Sequence, residues 1–113
     1  MTAAPAANSA ASFEISTASP GRLAVRGALT FATARRARTQ GLAALRNGDN
    51  AGRGLEVDCS AISQVDSAGL AVLLDWLAEA RRAGRPLRYE QLPNGLLGLA
   101  RISAVDGFLT QGV

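Results

Sequence analysis

The chain contains no histidine and no lysine, and Cys59 is its only cysteine. Without histidine, the commonest general base and metal ligand is missing. Without lysine, there is neither a Walker A lysine for binding phosphates nor a Schiff base. One cysteine cannot form an internal disulfide or a multi-cysteine zinc site, and Asp58 and Asp66 are the only candidate pair of carboxylates. These absences argue against an enzyme, and we expect neither a metal nor a cofactor.

Aromatic residues and long apolar runs are also scarce. Only five residues are Phe, Trp or Tyr, although 48% of the 113 residues are hydrophobic. The core must therefore consist mostly of Leu, Ile and Val. A chain of this length suits one domain, which buries about two thirds of its unfolded surface. The longest apolar run, 68–74, ends at Asp75 and is far shorter than the ~18 residues that span a membrane.

The N-terminal segment lacks both the basic start and the bulky apolar stretch of a signal peptide. We therefore expect a flexible tail over residues 1–12 and a single domain over residues 13–113. A chain with one thiol and no export signal is expected to be cytoplasmic.

All 12 basic residues are arginine, and nine acidic residues leave a net charge of +3. The arginines concentrate in two clusters, one at positions 35, 36 and 38 and the other at positions 81, 82, 85 and 88. Solvated helix faces explain both clusters, whereas docking to an acidic protein, a membrane surface or nucleic acid is the alternative. No aromatic residues lie between the arginines to stack on bases. We expect no nucleic-acid partner and only indirect membrane contact.

Periodicity predicts strands over 13–17, 22–26, 55–59 and 87–91, and helices over 31–45, 67–82 and 94–102. Thr30 is the candidate cap of the first helix, Phe31 belongs to its apolar face and Gly41 is expected to weaken it. Residues 47–52 should form a loop, and Phe108 should pack near the C-terminus. The order β-β-α-β-α-β-α implies parallel crossovers, so the helices should lie on a small mixed sheet.

The segment Asp66-Ser67-Ala68-Gly69 leads from a strand into the most clearly predicted helix. Backbone N–H groups at a helix start point outward and favour negative charge. Either Asp66 or Ser67 could cap the helix. Ser67 could also be a phosphoacceptor, although the charge of Asp66 would repel a phosphate beside it. Ala68 and Gly69 are small and leave the first turn open to another surface.

One face of this helix is expected to join the core through four leucines, Leu70, Leu73, Leu74 and Leu77. Val72 and Trp76 point away from that face. Either Trp76 lies beneath the loop or another helix, or the two residues form an exposed apolar stripe that a partner covers, since tryptophan is enriched in binding hot spots. Spacing alone leaves both interpretations open, and Val72 and Trp76 join residues 66–69 as candidate partner-binding residues. Cys59 lies on the inward side of its strand and is expected to be buried.

Residues 58–74 resemble the STAS domain family (sulphate transporter and anti-sigma factor antagonist). The match consists of Asp58-x-Ser60, Ile62 and Val65-Asp66-Ser67-x-Gly69-Leu70. The order of elements from Phe13 to Leu109 agrees with that family. The resemblance implies an α/β fold with a small mixed β-sheet and helices packed mainly on one face.

In anti-sigma factor antagonists, the Ser or Thr that corresponds to Ser67 is phosphorylated by a partner kinase, which releases the partner. Those proteins usually carry a second Ser or Thr where this chain has Ala68. The continuation over 69–74, with Gly84-x-Pro86-Leu87 and Leu99-Ala100-Arg101, is more similar to the MlaB-type subunit of phospholipid-transporting ABC systems. That resemblance implies a non-catalytic cytoplasmic subunit, which binds the ABC ATPase through the surface around Ser67 and the following helix. An anti-sigma factor antagonist switched by phosphorylation of Ser67, with an anti-sigma factor kinase as partner, is the alternative.

Overall fold

The computed structural model describes residues 12–46 and 54–112. In chain order, the elements of these residues are β1 (Phe13–Ser19), β2 (Arg22–Leu29), α1 (Ala34–Arg46), β3 (Leu55–Val65), α2 (Ser67–Arg82), β4 (Leu87–Glu90), α3 (Asn94–Ile102) and α4 (Asp106–Gln111). The predicted loop over 47–52 and all but the last residue of the predicted tail over 1–12 lie outside the described residues.

The strands form a mixed sheet in the order β1-β2-β3-β4. β1 and β2 make an antiparallel hairpin, whereas β2 with β3 and β3 with β4 are parallel. Because successive side chains of a strand point to opposite faces, one face collects buried residues such as Val25, Val57, Cys59 and Leu87. All four helices of the described residues add side chains to this same core. The predicted fold class is therefore confirmed.

The opposite face of the sheet is polar and carries a cluster of charges around Arg22. Its guanidinium lies 3.0 Å from the carboxylate of Glu56, 2.6 Å from that of Glu90 and 4.0 Å from that of Asp58. These pairs are partly exposed, so each contributes little to stability. The helices leave this charge-paired face to solvent.

Helix α2 packs against both the sheet and α1. Three of its four predicted core leucines are buried, Leu70, Leu73 and Leu77. Val72 and Trp76 are buried as well, with only 3% and 2% of their surface exposed, and Trp76 lies directly against Gly41 of α1. The expectation of an exposed stripe at these two positions is therefore wrong, and the alternative of burial beneath another helix is correct. Leu74, by contrast, is only half-buried.

Gly41 is required by the contact between α1 and α2. A Cβ atom at this position would overlap the indole ring of Trp76. Glycine costs a helix ~1 kcal/mol relative to alanine, but its missing side chain lets the two helices approach closely. On its other side the indole meets Phe13 of β1, with the ring centroids 6.3 Å apart, which is within the range of favourable aromatic pairs. Trp76 therefore joins α1, α2 and β1.

The first helix begins later than predicted. Residues 30–33 form a turn in which the N–H of Thr33 donates to the carbonyl oxygen of Thr30 at 3.0 Å. Helix α1 starts only at Ala34. Phe31 consequently lies outside the helix, and its side chain is 84% exposed.

Strand β3 and helix α4 also differ from the sequence prediction. Strand β3 runs to Val65 and not to residue 59 as predicted. Its pairing with β2 shifts register twice, and each shift breaks the alternation of apolar and polar residues by which a strand is recognised. Helix α4 was not predicted, since its six residues are too few for a helical period to be recognised. Phe108, which was expected to pack, is 59% exposed on this helix.

Replacing Gly41 with alanine should destabilise the protein by about 1–3 kcal/mol, because the new methyl group overlaps the Trp76 ring and forces repacking. Gly98→Ala in α3 is the matched control, since a Cβ atom there meets no other group within 4 Å. That change should stabilise by about 0.5–1 kcal/mol. Urea unfolding followed by tryptophan fluorescence measures both variants. An equal effect of the two substitutions would contradict the tight contact.

Candidate functional site

The carboxylate of Asp66 joins two segments at the start of α2. Its Oδ1 accepts a hydrogen bond from the N–H of Gly69 at 3.1 Å, and its Oδ2 accepts one from the N–H of Phe31 at 3.0 Å. The extended backbone of Asp66, with φ −136° and ψ −170°, is that of an N-cap residue. The bond from Phe31 above all, with that from Gly69, lowers the pKa of the carboxyl group. Asp66, and not Ser67, is therefore the cap.

Ser67 occupies the first turn of α2 and is exposed. Its hydroxyl makes no hydrogen bond within the described part of the chain. Because Asp66 already fills the capping position, the hydroxyl can meet another molecule without loss of the cap. The helix dipole favours negative charge here, whereas the neighbouring carboxylate opposes it.

Phe31 belongs to this site, although sequence reasoning placed it on a helix face. The turn that carries it is held by Thr33, whose hydroxyl donates to the carbonyl oxygen of Ala28 at 2.7 Å and accepts the N–H of Thr30 at 3.1 Å. The bond to Asp66 fixes the backbone of Phe31 next to the start of α2. Nothing in the local sequence distinguishes an exposed phenylalanine from a buried one. The exposure follows from the turn that replaces the first predicted helical residues.

Parallel pairing of β2 and β3 brings these segments together. Leu29 at the end of β2 is in register with Val65 at the end of β3, so the connections that follow both strands start at the same edge of the sheet. Gly69 permits the close approach, because a Cβ atom there would overlap the carbonyl oxygen of Leu29. We call these neighbouring residues, Phe31, Asp66, Ser67 and Ala68, the Ser67 rim.

The model of the Mlab STAS domain family matches residues 13–111. The chain belongs to this family. The unphosphorylated form of the anti-sigma factor antagonist SpoIIAA has the same fold, with 15% identity, a TM-score of 0.61 and coverage of 88% of this chain and 84% of that chain. The phosphorylated form of the Bacillus cell fate determinant SpoIIAA is similar, with 17% identity, a TM-score of 0.62 and coverage of 88% and 89%. No curated protein sequence matches the chain significantly.

Two of the predicted partner-binding residues of this STAS domain lie away from the Ser67 rim. Val72 and Trp76 are buried within the chain itself, so they offer no surface to another molecule. Of the remaining four, Asp66, Ser67 and Ala68 belong to the rim, and buried Gly69 shapes it from beneath.

The two carboxylates considered as a catalytic pair are far apart in the STAS fold. Seven residues of β3 separate Asp58 from Asp66, and a strand rises ~3.3 Å per residue. Asp58 instead accepts the N–H of Ser60 at 2.9 Å, where the strand shifts register, and the hydrogen bonds from Ser60 lower its carboxyl pKa. Burial raises the pKa of the Cys59 thiol to about 12, which removes its reactivity near neutral pH.

The arginine clusters of this STAS domain are partly engaged within the chain. Arg85 is buried and donates to the carbonyl oxygen of Leu45 at 3.1 Å, so it does not belong to a surface patch as predicted. Arg38 of the first cluster lies 3.0 Å from the carboxylate of Asp75. The solvated-face interpretation therefore describes Arg38, whereas Arg85 has a structural role.

Within residues 12–46 and 54–112, no helix is long and apolar enough to cross a membrane. The same residues contain no group of three or more Cys, Asp or Glu side chains placed to hold a metal ion.

Replacing Asp66 with alanine should cost ~1 kcal/mol of stability at neutral pH, because the helix loses its cap. The folded-state pKa of Asp66 lies below its ordinary value, so the cap stabilises above the unfolded-state pKa and this contribution disappears as pH falls through the folded-state pKa. Urea unfolding at neutral and acidic pH checks this, with Ser67→Ala as the control that keeps the cap. If the difference in unfolding free energy between Asp66→Ala and the native chain did not change with pH, the assignment of Asp66 as the cap would be contradicted.

Proposed function

We propose that this protein is a non-catalytic STAS subunit that binds, and thereby stabilises or regulates, the cytoplasmic ATPase of a phospholipid-transporting (Mla-type) ABC transporter. The observation that carries the proposal is the exposed side chain of Phe31, whose backbone N–H is bound by the carboxylate of Asp66, the residue that precedes Ser67. A large aromatic side chain exposed next to a helix start is suited to be a binding hot spot. The Mlab description of the family supports the choice of partner.

The chemistry of the described residues supports binding rather than catalysis. The chain has no histidine or lysine, its cysteine is buried, and Asp58 within β3 is separated from Asp66 by the seven residues that end that strand. The titratable group at the Ser67 rim is Asp66, whose carboxylate is occupied by two backbone N–H groups. A carboxylate committed to capping is poorly placed to move a proton.

Binding to the purified ATPase subunit of an Mla-type ABC transporter from the same organism tests the proposal. Phe31→Ala should weaken that binding by at least about tenfold, because a hot-spot side chain is lost. Ile102→Ala is the matched control, since Ile102 is 85% exposed at the end of α3, and it should bind as the native protein does. Isothermal titration calorimetry measures both. Equal affinity of the two variants would contradict docking at the Ser67 rim.

A phosphorylation-switched anti-sigma factor antagonist is the second candidate. It is favoured by the exposed, unbonded hydroxyl of Ser67 at a helix N-terminus. One of the similar structures is described as an anti-sigma factor antagonist.

This alternative requires that a partner kinase phosphorylate Ser67. Intact-mass measurement of the protein from stressed and unstressed cells should then show one added phosphate, which Ser67→Ala abolishes. Ser16→Ala is the control that should keep the phosphate, since Ser16 is an exposed serine on β1. An unmodified Ser67 under both conditions, with unchanged partner binding by Ser67→Asp, would exclude the switch.

A further inference from the structure

Helix α2 presents a row of outward side chains that is largely uncovered by the other described elements. Residues three and four positions apart lie in one row on a helix. The row, which we call the α2 ridge, consists of Ser67, Ala71, Leu74, Ala78 and Arg81. All are exposed except Leu74, which is half-buried.

The α2 ridge has nearly the same pattern in both directions. Leu74 is at the centre, Ala71 and Ala78 lie three and four residues from it, and Ser67 and Arg81 each lie seven residues away. Two antiparallel copies would therefore place alanine against alanine and each arginine against the serine end of the other helix. Small side chains allow helix axes to approach to the shorter part of the ~8–10 Å range.

The two ends of the ridge carry complementary groups. Arg81 has no carboxylate within 4.0 Å among residues 12–46 and 54–112, whereas neighbouring Arg82 is 2.6 Å from Glu79. At the other end lies the carboxylate of Asp66, which binds the backbone N–H of Phe31, and the side chain of Phe31 is exposed. An anion and an aromatic face both attract a guanidinium group.

An apolar groove of about 410 Å³ flanks the centre of the ridge, between α2 and α4. It is lined by Leu74, Leu77, Ala78, Arg81, Arg82 and Phe108. Phe108 is 59% exposed. A second helix laid along the ridge would cover Phe108 and Leu74 and so remove apolar surface from water.

We infer that the α2 ridge is a self-association surface, on which two copies of the chain meet in an antiparallel contact with its twofold axis at Leu74. Such a contact is isologous, the arrangement of twofold-symmetric homodimers. One helix and Phe108 from each copy provide fewer residues than the ~20–30 per side of a standard interface. The dimer is consequently weak, and the fraction of dimeric protein rises with protein concentration.

Disulfide crosslinking with defined register tests this contact. Leu74→Cys should give a linked dimer under mild oxidation, because position 74 faces itself across the axis. Ala78→Cys alone should not, since the two copies of position 78 are about 12 Å apart along the helices, beyond the reach of a disulfide. A mixture of the Ala71→Cys and Ala78→Cys proteins should form the mixed dimer. Cys59 is buried and remains unlinked.

Sedimentation equilibrium of the chain without added cysteines gives an independent measure. Arg81→Glu should weaken dimerisation at least about tenfold, because it places like charges opposite each other. Arg36→Glu, on the exposed part of α1, is the matched control. A strong crosslink by Ala78→Cys alone would mean a parallel or unspecific contact and would overturn the inference. So would a monomer at every concentration without any crosslink, or equal dimerisation of the two glutamate variants.

The dimer covers Ser67, and its effect on docking rests on the proposed function. The oxidised Leu74→Cys dimer should fail to bind the purified ATPase subunit, and reduction should restore binding to that of the native chain. If the oxidised dimer still bound the ATPase subunit, docking and self-association would not use the same surface around Ser67. If the native chain itself fails to bind, the proposed function is wrong, while the crosslinking and sedimentation results still decide whether the dimer exists.

Discussion

The carboxylate of Asp66 is the interaction on which the exposed surface of this protein depends. One of its oxygens completes the first turn of α2 and the other holds the turn after β2. Loss of the bond from Phe31 would detach the turn that carries it from the start of α2. A single ionised side chain thus organises two segments that are 35 residues apart in the sequence. Both bonds are stronger than neutral hydrogen bonds because the acceptor is charged.

The packing of Trp76 is the corresponding constraint inside the molecule. The indole fills the space between α1, α2 and β1, and the absence of a side chain at Gly41 makes that space available. Its Nε1 is buried without a hydrogen-bond partner among the described residues. An unsatisfied polar atom costs stability, so the apolar contacts of the ring must outweigh that cost. By drawing α1 over α2, Trp76 determines which side of α2 remains outward.

That outward side links the proposed docking and the inferred self-association. Ser67 belongs both to the Ser67 rim and to the α2 ridge, so a partner protein and a second copy of the chain would compete for it. Competition of this kind regulates a binding protein by mass action and needs no change of fold. The charged face of the sheet takes no part, because Arg22 and its surrounding acids pair among themselves.

The sequence by itself determined the fold class, the strong helix over 67–82 and the start of that helix at the Asp66–Ser67 junction. Those features depend on local periodicity, capping chemistry and a family motif, all of which can be recognised along the chain. The tertiary structure decided that Asp66 is the cap, that Trp76 is buried and that Phe31 is exposed. The first two depend on residues distant in sequence, the N–H of Phe31 for Asp66 and Gly41 for Trp76. The exposure of Phe31 follows from the turn that precedes α1. A helical wheel shows which residues share a face, but only packing determines which face a neighbouring helix covers.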